Sequence, residues 1–131
     1  MLTTHLREPI ETIASRLAEN KIGALPVLDA NEKLVGVISE RDIIRGLAEH
    51  GGNLGSLMAE DLMTQRVVTC RSTDTIKDIM HLMSRSRIRH LPVVDDGVLQ
   101  GIISLRDVVE SQLKDAQLEV NVLRDVARTR L

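Results

Sequence analysis

Two short stretches of this chain carry groups suited to holding an anion beside a sugar. Gly36-Val37-Ile38-Ser39-Glu40-Arg41-Asp42 returns almost unchanged as Gly101-Ile102-Ile103-Ser104-Leu105-Arg106-Asp107. In each, a glycine and two β-branched residues lead into Ser-x-Arg-Asp and an amphipathic run, the pattern of a buried strand that ends where a helix begins. Backbone N–H groups and the dipole at a helix start attract phosphate. A serine hydroxyl and an arginine add donors, and a carboxylate one turn on accepts from ribose hydroxyls. Phosphate near the serine and sugar near the aspartate describe a nucleotide. The same Ser-x-x-Asp spacing is also that of a helix capping box, in which the serine accepts from a backbone N–H and the acid reaches back to the cap.

The elements that would position these groups are themselves duplicated. Adding 66 carries Thr3, Ile10, Ile13, Ile22, Leu25, Pro26, Val27 and Asp29 onto identical residues. After a one-residue deletion in a loop, adding 65 does the same for Leu34, Gly36, Ile38, Ser39, Arg41 and Asp42. One supersecondary unit therefore occurs twice. Ile10, Ile13, Ala14 and Leu17 mark one face of a helix that Pro9 suits in its first turn. Residues 24–28 and 34–38 read as the strands of a hairpin, with a turn at 29–32 and Pro26 suggesting an edge or a strand start. Ser39 starts a second helix bearing Ile43, Ile44 and Leu47, which Gly51 and Gly52 stop. Each unit reads strand, helix, strand, strand, helix. The divisions are 1–50 for the first repeat, 51–66 for a packed linker and 67–113 for the second repeat, with Ile76, Ile79, Met80 and Met83 on its first helix. Residues 114–131 extend the last helix, where Val109, Leu113, Ala116, Val120, Leu123 and Ala127 form a heptad stripe suited to packing on its own domain or against another subunit.

Composition narrows the function classes. With 131 residues, 43% apolar, 27% charged and a net charge of −2, the chain has the make-up of a soluble globular protein with no electrostatic need for nucleic acid. It contains no Phe, Trp or Tyr, so no aromatic platform can stack a base, and a nucleobase would have to lie between aliphatic side chains. The lone Cys70 cannot form an intrachain disulfide, and His5, Arg7, Glu8 and Glu11 stand where a signal peptide needs an apolar run. A cytoplasmic protein without a membrane span is the expectation. The four histidines and Cys70 are scattered without metal-ligand spacing, and no P-loop or GxGxxG occurs. The expectation is a protein that is not an enzyme and requires no metal.

The doubled pattern of strand, helix, Leu-Pro-Val strand, and Gly-h-h-Ser-x-x-Asp helix, where h is apolar, resembles a tandem pair of CBS domains, a Bateman module, over the chain up to about residue 113. The resemblance implies an α/β (α+β) fold of two β-α-β-β-α repeats packed about a pseudo-two-fold axis, with two clefts between them. It also implies adenosyl ligands, namely AMP, ADP or ATP, with NAD(H) or S-adenosylmethionine as further candidates, and a homodimer that regulates an attached or partner protein. Carried over residue by residue, one cleft would take Ser104, Arg106 and Asp107, with Ile22, Gly23 and Ala24 lining the adenine. The other would take Ser39, Arg41 and Asp42 with Ile88, Arg89 and His90, and Thr64 from the linker. Arg89 and His90 would also reach phosphates in the first of these.

Glu19, Lys21 and Gly23 correspond to Arg85, Arg87 and Arg89 in the second repeat, so positive charge gathers on one side and the two clefts are expected to be unequal. Only two residues precede Thr3, so the segment that in such proteins leads into the first strand is expected to be missing or shortened. Two rival readings stand beside the ligand sensor: a structural dimerisation module with vestigial clefts, and a nucleic-acid binder using the basic edge from Arg85 to Arg89.

Overall fold

The computed structural model describes residues 1–115. In the first repeat, β1 (Thr4–His5) runs parallel to β2 (Ala24–Leu28), which pairs antiparallel with β3 (Leu34–Ser39) in the order β1-β2-β3. Helix α1 (Ile10–Asn20) links β1 to β2, and α2 (Glu40–His50) follows β3. A 3₁₀ turn (Gly51–Ser56) and a short helix α3 (Ala59–Leu62) lead to the second repeat. That repeat contains α4 (Ile76–Ser86), the antiparallel pair β4 (His90–Asp95) and β5 (Val98–Ser104), and α5 (Leu105–Asp115). This is the expected α+β architecture, with two departures. Pro26 lies in the middle of the central strand β2 and not at an edge or a strand start. The strand expected from Val67 is reduced to a single parallel bridge, Cys70 to Val93, at the positions equivalent to Thr4 and Val27. Two backbone bonds hold it, Cys70 N to Pro92 O at 3.0 Å and Val94 N to Cys70 O at 2.8 Å.

Periodicity explains the cores. Ile10, Ile13 and Leu17 on α1 meet Leu25, Val27 and Ile38 from the sheet, all buried. Ile79 and Met83 on α4 meet Cys70, Leu91 and Val108 in the same way. Burying an aliphatic side chain of this size contributes roughly 1.5–3 kcal/mol. Three of the apolar residues that the helices bear are exposed: Ile44 at 65%, Leu47 at 54% and Met80 at 45%. On α2 the buried positions are Asp42 and Gly46, with Ile43 partly buried. A β-carbon on Gly46 would lie 2.6 Å from Leu62 Cδ1, so α3 packs directly on the α2 backbone and turns Ile44 and Leu47 outward.

The segment between the repeats is sewn into the first one. Ile10 N donates to Leu57 O, Ala59 N to Glu8 O and Glu60 N to Leu6 O, at 2.9–3.0 Å. Ala59 and Leu62 join the first core. Thr64 pairs both ways with Val37, which fixes Thr64 beside the end of β3. On α5, Val109 and Leu113 are exposed; the remaining stripe positions Ala116, Val120, Leu123 and Ala127 lie outside the described residues.

Both α1 and α4 end at a residue in the left-handed conformation, Lys21 (φ 53°, ψ 44°) and Arg87 (φ 54°, ψ 42°). Each caps its helix through its backbone N–H and turns the chain toward the next strand. Glycine is the usual residue at such a cap because it has no Cβ to crowd the carbonyl. Here both are long cations at equivalent positions.

Candidate functional site

Each Ser-x-x-Asp motif forms the capping box that its spacing allows. Ser39 Oγ accepts from Asp42 N at 3.3 Å and Ser39 N donates to Asp42 Oδ2 at 2.8 Å. In the second repeat Asp107 N donates to Ser104 Oγ at 3.0 Å and Ser104 N to Asp107 Oδ2 at 2.9 Å. The first backbone N–H of each helix is tied to the approach of the neighbouring strand: Glu40 N donates to Gly23 O and Leu105 N to Arg89 O. Each helix start is thereby held beside residues 22–24 or 88–90 of its own repeat.

The two repeats meet so that two clefts form. One, of about 290 Å³, is lined by Ser39, Arg41, Asp42, Thr64, Ile88, Arg89 and His90, all seven residues expected there. The other, of about 1020 Å³, is lined by Ile22, Gly23, Ala24, Ser104, Arg106 and Asp107, together with Arg89 and His90. Gly23, Glu40, Arg89 and His90 border both. Sequence reasoning missed Glu40, which fills the variable position of the first motif where the second has Leu105. It also missed Arg45 and Arg66, which line the smaller cleft. Arg45 stands one helical turn beyond Asp42, a spacing that could have revealed it. Arg66 has no local signal beyond following Thr64. Of the basic run, Arg87 and Arg89 line the smaller cleft and Arg85 does not.

The two aspartates differ. Asp42 is 4% exposed, and besides the cap it accepts from Arg45 Nη2 at 2.5 Å, Thr64 Oγ1 at 3.3 Å and Ser39 Oγ at 3.1 Å. Asp107 is exposed, and among the described residues its side chain accepts only from Ser104 N. A new acceptor bond is therefore available at Asp107 without breaking an old one. His90 is half-buried in the shared wall. Burial holds its imidazole below its usual pKa; Glu40 and Asp107 oppose this, while Arg89 and Arg41 reinforce it.

Two copies of one unit with paired clefts between them, each combining a polar helix start from one repeat with a strand approach from the other, define a tandem-repeat α+β module. The chain belongs to the CBS-domain family, whose profile matches residues 1–49 and 59–114. A CBS-domain protein of Agrobacterium tumefaciens has a similar structure, with a TM-score of 0.82 and 35% identity over 86% of this chain and 84% of that one. The CBS-domain pair of protein MJ0100, solved with 5′-methylthioadenosine and S-adenosyl-L-methionine, has a TM-score of 0.76 at 31% identity, covering 83% of this chain and 88% of that one. In sequence, an uncharacterised protein of Methanopyrus kandleri is 33% identical over 106 residues, 78% of this chain. The chain spans 54% of that relative and 19% of an inosine-5′-monophosphate dehydrogenase of Nitrosopumilus maritimus to which it is 40% identical over 96 residues.

Proposed function

We propose that this chain is a regulatory module that binds adenosyl ligands, adenine nucleotides foremost, and signals their presence to a partner protein without catalysing a reaction. The observation that carries this is the convergence, in each of two clefts, of a Ser-x-Arg-Asp helix start with aliphatic and backbone groups from the other repeat. Donors for phosphate, an acceptor for ribose and an apolar lining for adenine then stand together. The MJ0100 complex supports the same ligand class. NAD(H) and S-adenosylmethionine belong to it as well.

The signalling form we propose is a cytoplasmic homodimer. Ile44 and Leu47 present apolar surface on α2, next to a groove between α1 and α2 lined by Ala14, Leu17, Ala18 and Ile43. Among the described residues no helix is long and apolar enough to cross a membrane. For a ligand to switch such a dimer, it must bind two arrangements with different affinity.

One observation favours a second reading, a structural dimerisation module. Asp42 is fully engaged by its own protein, as a purely structural cap would be. The nucleic-acid reading loses its continuous basic edge, since Arg87 and Arg89 line a cleft while Arg85 does not.

Thermal unfolding followed by circular dichroism, against AMP, ADP, ATP, NAD, NADH and S-adenosylmethionine, separates the readings. A ligand held only by the folded chain stabilises it by roughly 2.7 kcal/mol at a hundredfold excess over its Kd. A selective rise in Tm supports the sensor. Unchanged midpoints throughout the panel leave the structural module.

A further inference from the structure

The ion pairs within the two clefts leave them with different charge. In the smaller cleft Asp42 is already matched by Arg45 at 2.5 Å. Four further arginines, Arg41, Arg66, Arg87 and Arg89, line that cleft, and none forms an ion pair among the described residues. Only Glu40 remains to face them. Like charges gathered in one concavity repel, and the field they focus attracts an anion. All four are exposed, so they stand at the rim, where the tail of a ligand would emerge, while the nucleoside takes the enclosed part.

The larger cleft is balanced. Arg106 Nε lies 3.2 Å from Glu110 Oε1 on the same helix, which leaves Lys21 and Arg89 facing Glu40 and Asp107. Asp107 adds an open acceptor suited to ribose hydroxyls. Nothing in this inventory favours a polyanion.

Resting on the reading of both clefts as adenosyl sites, we infer that the chain sorts its ligands by charge. The Ser39 cleft takes a nucleoside di- or triphosphate, and the Ser104 cleft takes an adenosyl compound with little or no negative charge. One chain can then hold both at once, reporting a phosphorylated nucleotide and an uncharged or cationic adenosyl metabolite through the shared wall of Gly23, Glu40, Arg89 and His90.

Isothermal titration of the full chain with ATP, AMP and 5′-methylthioadenosine, at low and high salt, tests this. ATP should bind more tightly than AMP, with an affinity that falls as salt rises. The double variant R66Q/R87Q should lose ATP affinity by on the order of tenfold per arginine and lose most of the salt dependence, while binding 5′-methylthioadenosine as before. Asp107→Asn should weaken 5′-methylthioadenosine and spare ATP. Wild-type chain saturated with one should still bind the other. Competition between the two ligands, or ATP affinity unchanged in R66Q/R87Q, overturns the sorting and leaves the sensor reading standing. Failure of all three ligands to bind a chain shown folded by circular dichroism overturns both.

Discussion

The imidazole of His90 occupies the space that a side chain on Gly23 would need. A β-carbon built at residue 23 would lie 2.9 Å from His90 Nε2 and 2.9 Å from Glu40 Oε1. The two residues come from different repeats, so Gly23 is demanded by close approach and not by an unusual φ. In Gly23→Ala the Glu40 carboxylate can swing away cheaply, but half-buried His90 has less room. The expected cost is about 1 kcal/mol of stability, with weaker ligand binding at both clefts because both use this wall. Urea unfolding by circular dichroism should show H90A recovering part of that loss when combined with G23A. Strict additivity would mean that the contact is not formed.

Asp42 and Asp107 should respond unequally to alanine. Asp42→Ala strips a buried network of its acceptor, leaving Arg45, Thr64 and the Ser39 N–H without it, and should cost about 2–3 kcal/mol. Asp107→Ala removes an exposed capping contact worth about 0.5–1 kcal/mol. The ordering of the two urea midpoints is the measurement. Equal losses would contradict the difference in their surroundings.

Acid should weaken the fold in two stages. The His90 imidazole is held below its usual value, chiefly by burial, so as pH falls through the ordinary imidazole range near ~6.5 the unfolded chain takes up the proton first. Stability present above that range is lost below it. Burial opposes ionisation of Glu8, but the Thr4 hydroxyl and the Arg16 guanidinium outweigh it and hold the carboxyl below the usual range. Its contribution is present above the ordinary glutamate value of ~4.3 and disappears as pH falls through the lower folded value. Urea midpoints measured against pH should show both stages, and H90Q should abolish the upper one alone. Anion binding should run the other way, because phosphate beside His90 favours the protonated ring. ATP affinity should therefore rise as pH is lowered from 8 toward 6, and this rise should be absent in H90Q.

Ile44→Asp tests the proposed dimer. Residue 44 is 65% exposed in the single chain, so an aspartate there should alter monomer stability by no more than about 0.5 kcal/mol. Sedimentation velocity should show wild-type chain as a dimer and the variant as a monomer. A wild-type monomer overturns the dimer, and an unperturbed variant dimer places the contact elsewhere.

The repeat was legible in the sequence because identical residues recur in register, and register fixes which faces of helix and strand turn inward. The thirteen residues expected at the site all line the two clefts, because local elements, a helix start and a strand approach, set their neighbours. That Ile44 and Leu47 on the second helix face outward was not legible, because periodicity sees one helix at a time; the packing of Leu62 on Gly46, which turns them outward, comes from sixteen residues downstream. The strand expected at Val67 shrank to the Cys70 bridge, although its hydrogen bonds to Pro92 and Val94 persist. Arg66 could not be assigned to a cleft, because its place depends on the Thr64 to Val37 pairing that brings the linker alongside β3.

Lys21 and Arg87 sit in the left-handed conformation at the ends of matched helices, and each lines a cleft, the larger and the smaller respectively. Glycine at either position would relieve backbone strain of about 1 kcal/mol, yet it would delete a cation from the wall of a cleft. Anyone hardening this protein against heat by the usual rules of helix termination would therefore strip a positive charge from each cleft. The least strained helix ends would also be the ones that leave both clefts poorer in charge.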